Sequence, residues 1–179
     1  RRPIAGVFVR LVYRSPLTPN QVTGAAILMG VVAAVLYTYG VPSLTMAAGI
    51  CITVKDILDS ADGQLARAKN QYSRAGRFLD SISDIIVNAA VFSAIGWSVA
   101  TGTHTQLPIA LAALSFLGIS LRVSYHVFYQ TSYLHQQNRY TLNRLTEEIR
   151  EEDLTSDRVT LGLQRVFQIL YGWQDRLMG

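Results

Sequence analysis

Long apolar runs, broken by short polar connections, set the pattern of this chain. Residues 20–39, 42–67, 76–100 and 107–129 are each dominated by apolar side chains. Each run reaches the roughly 20 residues that a helix needs to cross a bilayer. Several show no polar face over three turns, whereas a helix on the surface of a soluble protein has one. A soluble helical bundle with a greasy core is therefore the weaker reading, and the pattern predicts an all-α, polytopic transmembrane helix bundle with four visible spans.

Ahead of the first run lies RRPIAGVFVRLVYRS, where Ile4, Val7, Phe8, Leu11 and Val12 follow helical spacing with Arg10 and Arg14 off the stripe. That spacing predicts an amphipathic helix lying on a membrane surface; the end of a linker is the plainer alternative. Thr18 is a good N-cap and Pro19 a good first helical residue, so the first span begins there. After residue 130 the character changes. One predicted helix carries Leu142, Leu145 and Ile149 opposite a dense charged face, and a second has Val159, Leu163, Val166, Leu170 and Trp173 at helical spacing. Neither is apolar enough to span. The expected organisation is an interfacial helix over 1–17, a transmembrane domain over 18–130 and a cytoplasmic helical segment over 131–179.

Composition supports the membrane reading. Charged residues make up 16% of the chain, below the roughly 25% usual in soluble domains. The connections TYGVPSL and ATGTHTQ hold no Lys or Arg, while Arg1, Arg2, Arg10, Arg14, Arg67, Lys69, Arg74 and Arg77 flank the opposite ends. The positive-inside rule then places those basic ends in the cytoplasm. The single cysteine, Cys51, excludes an internal disulfide. No nucleic-acid motif is present, and the basic balance follows from the cytoplasmic arginines.

Against this background the stretch KDILDSADGQLAR, residues 55–67, is anomalous, because Asp56, Asp59 and Asp62 arrive inside an apolar run. Asp59 lies eight residues before Arg67, and Asp84 lies eight residues after Gly76. At 1.5 Å per residue both sit roughly 12 Å inside their helix ends. Asp59 and Asp62 are three residues apart, and Asp80 and Asp84 four, so each pair shares a helix face. The two spans are antiparallel neighbours, so four carboxylates converge on one cavity. Intramembrane acids are costly and usually mark function. Lys55 cannot neutralise four, and hard oxygen ligands suit Mg²⁺, Mn²⁺ or Ca²⁺. The bland alternative is a set of unrelated interfacial acids pairing with Arg67, Arg74 and Arg77. Asp56, a turn further in, would at most support the others.

Asp59-Ser-Ala-Asp62-Gly63-Gln-Leu-Ala66-Arg67, followed after eight residues by Gly76-Arg-Phe-Leu-Asp80-Ser-Ile-Ser-Asp84, resembles the complete motif of the CDP-alcohol phosphotransferase family. Thr18-Pro19-Asn20 resembles the family's entry to its first span. The resemblance implies an enzyme that transfers a phospho-alcohol group from a CDP-alcohol, most often CDP-diacylglycerol, to an acceptor alcohol in phospholipid synthesis, releasing CMP. By motif position it implies that Asp59, Asp62 and Asp80 bind two divalent ions, Mg²⁺ or Mn²⁺. Asp84 would complete the acidic cage and serve as catalytic base. Gly63, Ala66, Arg67 and Gly76, with Asn20, would contact the nucleotide. The resemblance also implies a homodimer, membrane lipid as a partner and a site facing the cytoplasm. The family usually has six spans, so a further pair is expected beyond Gly179.

Arg122 lies in the fourth run at the depth of Asp59 and Asp84. Facing lipid it would be expensive, so it is expected to face the cavity and bind a phosphate of the acceptor. A bridge to an aspartate and a snorkelling side chain are the alternatives. His126, one turn on, is expected to pack rather than bind metal. The rival function is a divalent-cation transporter using the same acids. It would need a polar path, and the outer halves of the four runs contain no ionisable group. A non-catalytic membrane adaptor is the third class.

Overall fold

The computed structural model describes residues 2–71, 73–136 and 157–178. The predicted acid-rich helix of Leu142, Leu145 and Ile149 lies outside them. Six helices make up the described chain: α1 (Arg2–Val12), α2 (Pro19–Thr38), α3 (Pro42–Ala68), α4 (Arg74–Thr103), α5 (Leu107–Gln136) and α6 (Arg158–Met178). Among the described residues there is no strand. Helix α2 packs on both α3 and α4, α4 is flanked further by α5 and α6, and α1 lies against α3.

The polar connections supply the helix ends. Thr18 caps α2 in a reciprocal box: the Gln21 amide donates to Thr18 Oγ1 at 3.4 Å, and the Thr18 amide donates to Gln21 Oε1 at 3.0 Å. Two orphan donors of the first turn are thereby satisfied. Ser73 caps α4 by accepting from the Gly76 amide at 3.0 Å. The α3–α4 turn reverses through Asn70, which adopts a left-handed φ of 53°, a conformation that asparagine tolerates better than most residues. Lys69 ties this turn to the start of the chain, donating to the carbonyls of Ser15 at 2.9 Å and Leu17 at 2.7 Å.

The spans meet through small residues, as membrane helices do when backbones approach closely. A Cβ on Gly30 of α2 would fall 2.4 Å from Val87 Cγ1 of α4, and one on Gly96 of α4 would fall 2.7 Å from Ala112 Cβ of α5. Neither glycine leaves room for a methyl group. Helix α6 docks on α4 through the Phe167 ring, 5.3 Å from that of buried Phe78, and through Tyr171, whose hydroxyl donates to the Ser81 carbonyl at 2.9 Å.

Two sequence expectations change. Among the described residues, three helices are long and apolar enough to cross a membrane: Pro19–Thr38, Arg74–Thr103 and Leu107–Gln130. The expected span at 42–67 is a helix of 27 residues but fails on composition, because Lys55, Asp56 and Asp59 crowd charge into its second half. The face of α1 also differs. Ala5 and Val9, with Phe8 and Val12 beside them, pack on Val22, Leu58, Ala61 and Leu65, while Val7 and Leu11 point outward at 58% and 77% exposure. The small Ala5 lets the two helices approach closely, so it marks the inner face better than the largest apolar side chains do.

A carboxylate triad beside a capped cavity

The site grows from the half of α3 that ends at Ala68 and the facing first turns of α4. Asp59, Asp62 and Asp80 each offer a carboxylate oxygen, and these atoms lie within 4.8 Å of one another. Asp62 is buried at 6% exposure. Unscreened carboxylates this close repel strongly, the more so away from water. Some of the compensation is visible: Thr23 of α2 donates its hydroxyl to Asp62 Oδ2 at 2.6 Å. Asp80 keeps Oδ1 buried without a hydrogen-bond partner among the described residues. An orphaned buried oxygen inside an oxygen-rich cluster fits a hard divalent cation, which would supply the missing partner.

Asp84 stands apart from the triad. It pairs with Lys55, which reaches across from α3, while Lys55 Nζ also lies 3.7 Å from Asp59 Oδ1. Lys55 is itself buried, at 7% exposure. Asp56 is half-buried and has partners of its own.

A cavity of about 270 Å³ opens next to the triad. Asp62 and Asp80 form its acidic wall, and Asn20, Gly63, Ala66, Arg67 and Gly76 line it as well. Those five are the residues for which the family resemblance implies contact with nucleotide, and the fold brings them to one surface. The first turns of α2 and α4 both border the space, so the positive ends of two helix dipoles lie at its edge. The backbone explains the small residues. A Cβ on Gly63 would meet nothing of the protein closer than Arg67 Nη2 at 3.8 Å, so the glycine keeps cavity space open rather than helices close. Arg67 is anchored through Nε, which donates to the Gly63 carbonyl at 3.1 Å, leaving the end of its guanidinium at the rim.

Sequence reasoning missed Thr23 and Arg77. Thr23 sits one turn after Asn20 in an otherwise apolar run, a polar interruption that could have flagged it. Arg77 lines the cavity with its guanidinium 5.0 Å from the Phe78 ring centroid, a cation–π contact. Two other residues singled out from sequence are not brought to this site: Arg122 and His126 are both exposed on α5.

Relatives carry the same segment. Over 109 residues the chain is 33% identical to the bifunctional IPC transferase and DIPP synthase of Thermococcus kodakarensis, covering 61% of this chain and 23% of that protein. It is 38% identical over 78 residues to the protein of the same name from Aquifex aeolicus, covering 44% and 17%. It is 37% identical over 79 residues to the archaetidylinositol phosphate synthase of Pyrococcus horikoshii, covering 44% and 40%. The chain thus spans less than half the length of these curated relatives. The CDP-alcohol phosphatidyltransferase family matches residues 16–145, a range that takes in the triad, Asp84 and every residue that lines the cavity. With most of its length inside that match, the chain belongs to the CDP-alcohol phosphatidyltransferase family.

Proposed function

We propose that this integral membrane protein transfers the phospho-alcohol group of a CDP-alcohol to an acceptor alcohol and releases CMP, in a reaction that depends on a divalent cation. The observation that carries this reading is the Asp59–Asp62–Asp80 triad opening directly onto a cavity bordered by two helix amino ends. Triad and cavity suit the two halves of one ligand, a diphosphate and its nucleoside. Asp59, Asp62 and Asp80, with Asp84, would hold two Mg²⁺ or Mn²⁺ ions, and such ions would supply Lewis-acid stabilisation of the charge that develops on the departing phosphate.

The remaining steps belong to the chain. Gly63, Ala66 and Gly76 leave backbone accessible to the flat face of cytidine, with Asn20 beside them. Arg67 and Arg77 bring positive charge to the rim, where the nucleotide phosphate sits. The acceptor oxygen attacks the phosphorus that carries the alcohol, the bond from that phosphorus to the CMP oxygen breaks, and the acceptor proton passes to Asp84. CDP-diacylglycerol is the donor that a site at the lipid–water boundary suits best, since the lipid arrives from the side and the nucleotide from water. The Lys and Arg distribution supports a cytoplasmic site. A homodimer belongs to the same reading.

Inositol phosphate is the first acceptor to test, because the name of one relative is archaetidylinositol phosphate synthase. Arg122, exposed on α5 outside the cavity, would grip its phosphate from that side. The test is CMP release by the full-length protein from CDP-diacylglycerol, with Mg²⁺ or Mn²⁺, against inositol phosphate, glycerol phosphate and serine. CMP should appear with one acceptor and vanish in excess chelator and in Asp80→Ala. Full turnover in chelator would sink the metal dependence, and cation flux without CMP would replace the enzyme with a transporter.

A further inference from the structure

Lys55 has no part in the phosphoryl transfer itself, yet it is the one buried cation among the described residues. Its ammonium hydrogen-bonds Asp84 on the neighbouring helix and lies 3.7 Å from Asp59 on its own. The side chains of the Lys55–Asp84 pair are 9% and 37% exposed. An ammonium carried to this depth is costly unless it is paired, so its position is a commitment of the fold to Asp84. Asp59, Asp62 and Asp80 remain grouped without it.

Net charge limits how many ions the site can hold without nucleotide. Four carboxylates bring four negative charges and Lys55 returns one positive. A single divalent ion at the triad leaves the group with one net negative charge. A second divalent ion would turn it net positive, with an ammonium already seated on the carboxylate that this ion needs. In a poorly solvated site that excess is unfavourable until an anion arrives, and the diphosphate is that anion. Resting on the metal-dependent reading of the site, we propose that Lys55 is a positioning residue. Its ammonium holds the place beside Asp84 that a second ion would take, so that this ion joins only together with the diphosphate of the donor.

The experiment counts Mn²⁺ bound to the full-length protein in detergent, by equilibrium dialysis and electron paramagnetic resonance, with and without CDP. The wild type and Lys55→Arg should bind one Mn²⁺ alone and two with CDP. Lys55→Met removes the charge at similar length and should bind two Mn²⁺ without CDP, its second site tightened by at least about tenfold. With a purely structural lysine, Lys55→Met would show the same dependence of ion number on CDP as the wild type. One Mn²⁺ in Lys55→Met without CDP overturns the inference. So do two in the wild type without CDP, an outcome that needs no variant to fold. Both of those results leave the metal-dependent reading standing. No bound Mn²⁺ in any of these proteins, with or without CDP, overturns that reading and the inference with it.

Discussion

Helices α3 and α5 both carry charged residues at or beyond their midpoints, and the fold treats them differently. Helix α3 buries Lys55 and Asp62 and turns Asp59 toward the acids of α4. Helix α5 has no buried residue between 107 and 130, and Arg122 is exposed among them. Depth along a helix comes from counting residues at a fixed rise. Rotation about the helix axis does not. It is set by which neighbour a helix meets, and only α3 and α4 carry their charges in pairs that define a face.

Three measurements sharpen this contrast. The largest effect belongs to Asp84→Asn, which keeps shape but cannot accept a proton. The chemical step should fall by roughly 10²–10⁴, while Mn²⁺ binding at the triad stays within a few-fold. Single-turnover CMP release alongside Mn²⁺ binding at the triad separates the two, and loss of the ion at the triad would make Asp84 a ligand of that first ion rather than the base.

A smaller effect is expected from Gly63→Ala. The new methyl enters cavity space and contacts only the end of Arg67, and alanine improves helix propensity by about 1 kcal/mol. CMP affinity measured by calorimetry should weaken several-fold with no drop in melting temperature. Unchanged CMP affinity would make the glycine a packing residue after all.

The smallest change tests α5 itself. Arg122→Lys keeps the charge and loses the planar fork that grips phosphate in two places. The acceptor KM should rise a few-fold with the donor KM near its normal value. If neither moves, the exposed face of α5 belongs to lipid, and the contrast between α3 and α5 is complete.

Much of the fold and the site is legible in the sequence, for reasons that can be named. The helices are visible because apolar runs of bilayer length have few other uses, and their starts because Thr18, Pro19 and Ser73 bring their own capping chemistry. The triad is visible because three- and four-residue spacings fix side chains to one face. What stays hidden depends on contacts between helices. Nothing in the sequence says that Lys55 prefers Asp84, 29 residues away, over Asp59 one turn along its own helix. The inner face of α1 escapes a reading by size because close approach selects the small Ala5, while the bulk of Val7 and Leu11 suits lipid as readily as a neighbouring helix. Thr23 is one hydroxyl in an apolar run until Asp62 is placed beside it.

The bond from Lys69 to the Ser15 and Leu17 carbonyls has a mechanical side. It clamps the segment after α1 to the end of α3, while Ala5 and Val9 grip the same helix a few turns away from that end. A helix fixed at two points to the element that carries Asp59 and Asp62 cannot tilt without it, so α1 and the acid-bearing turns of α3 form one lever.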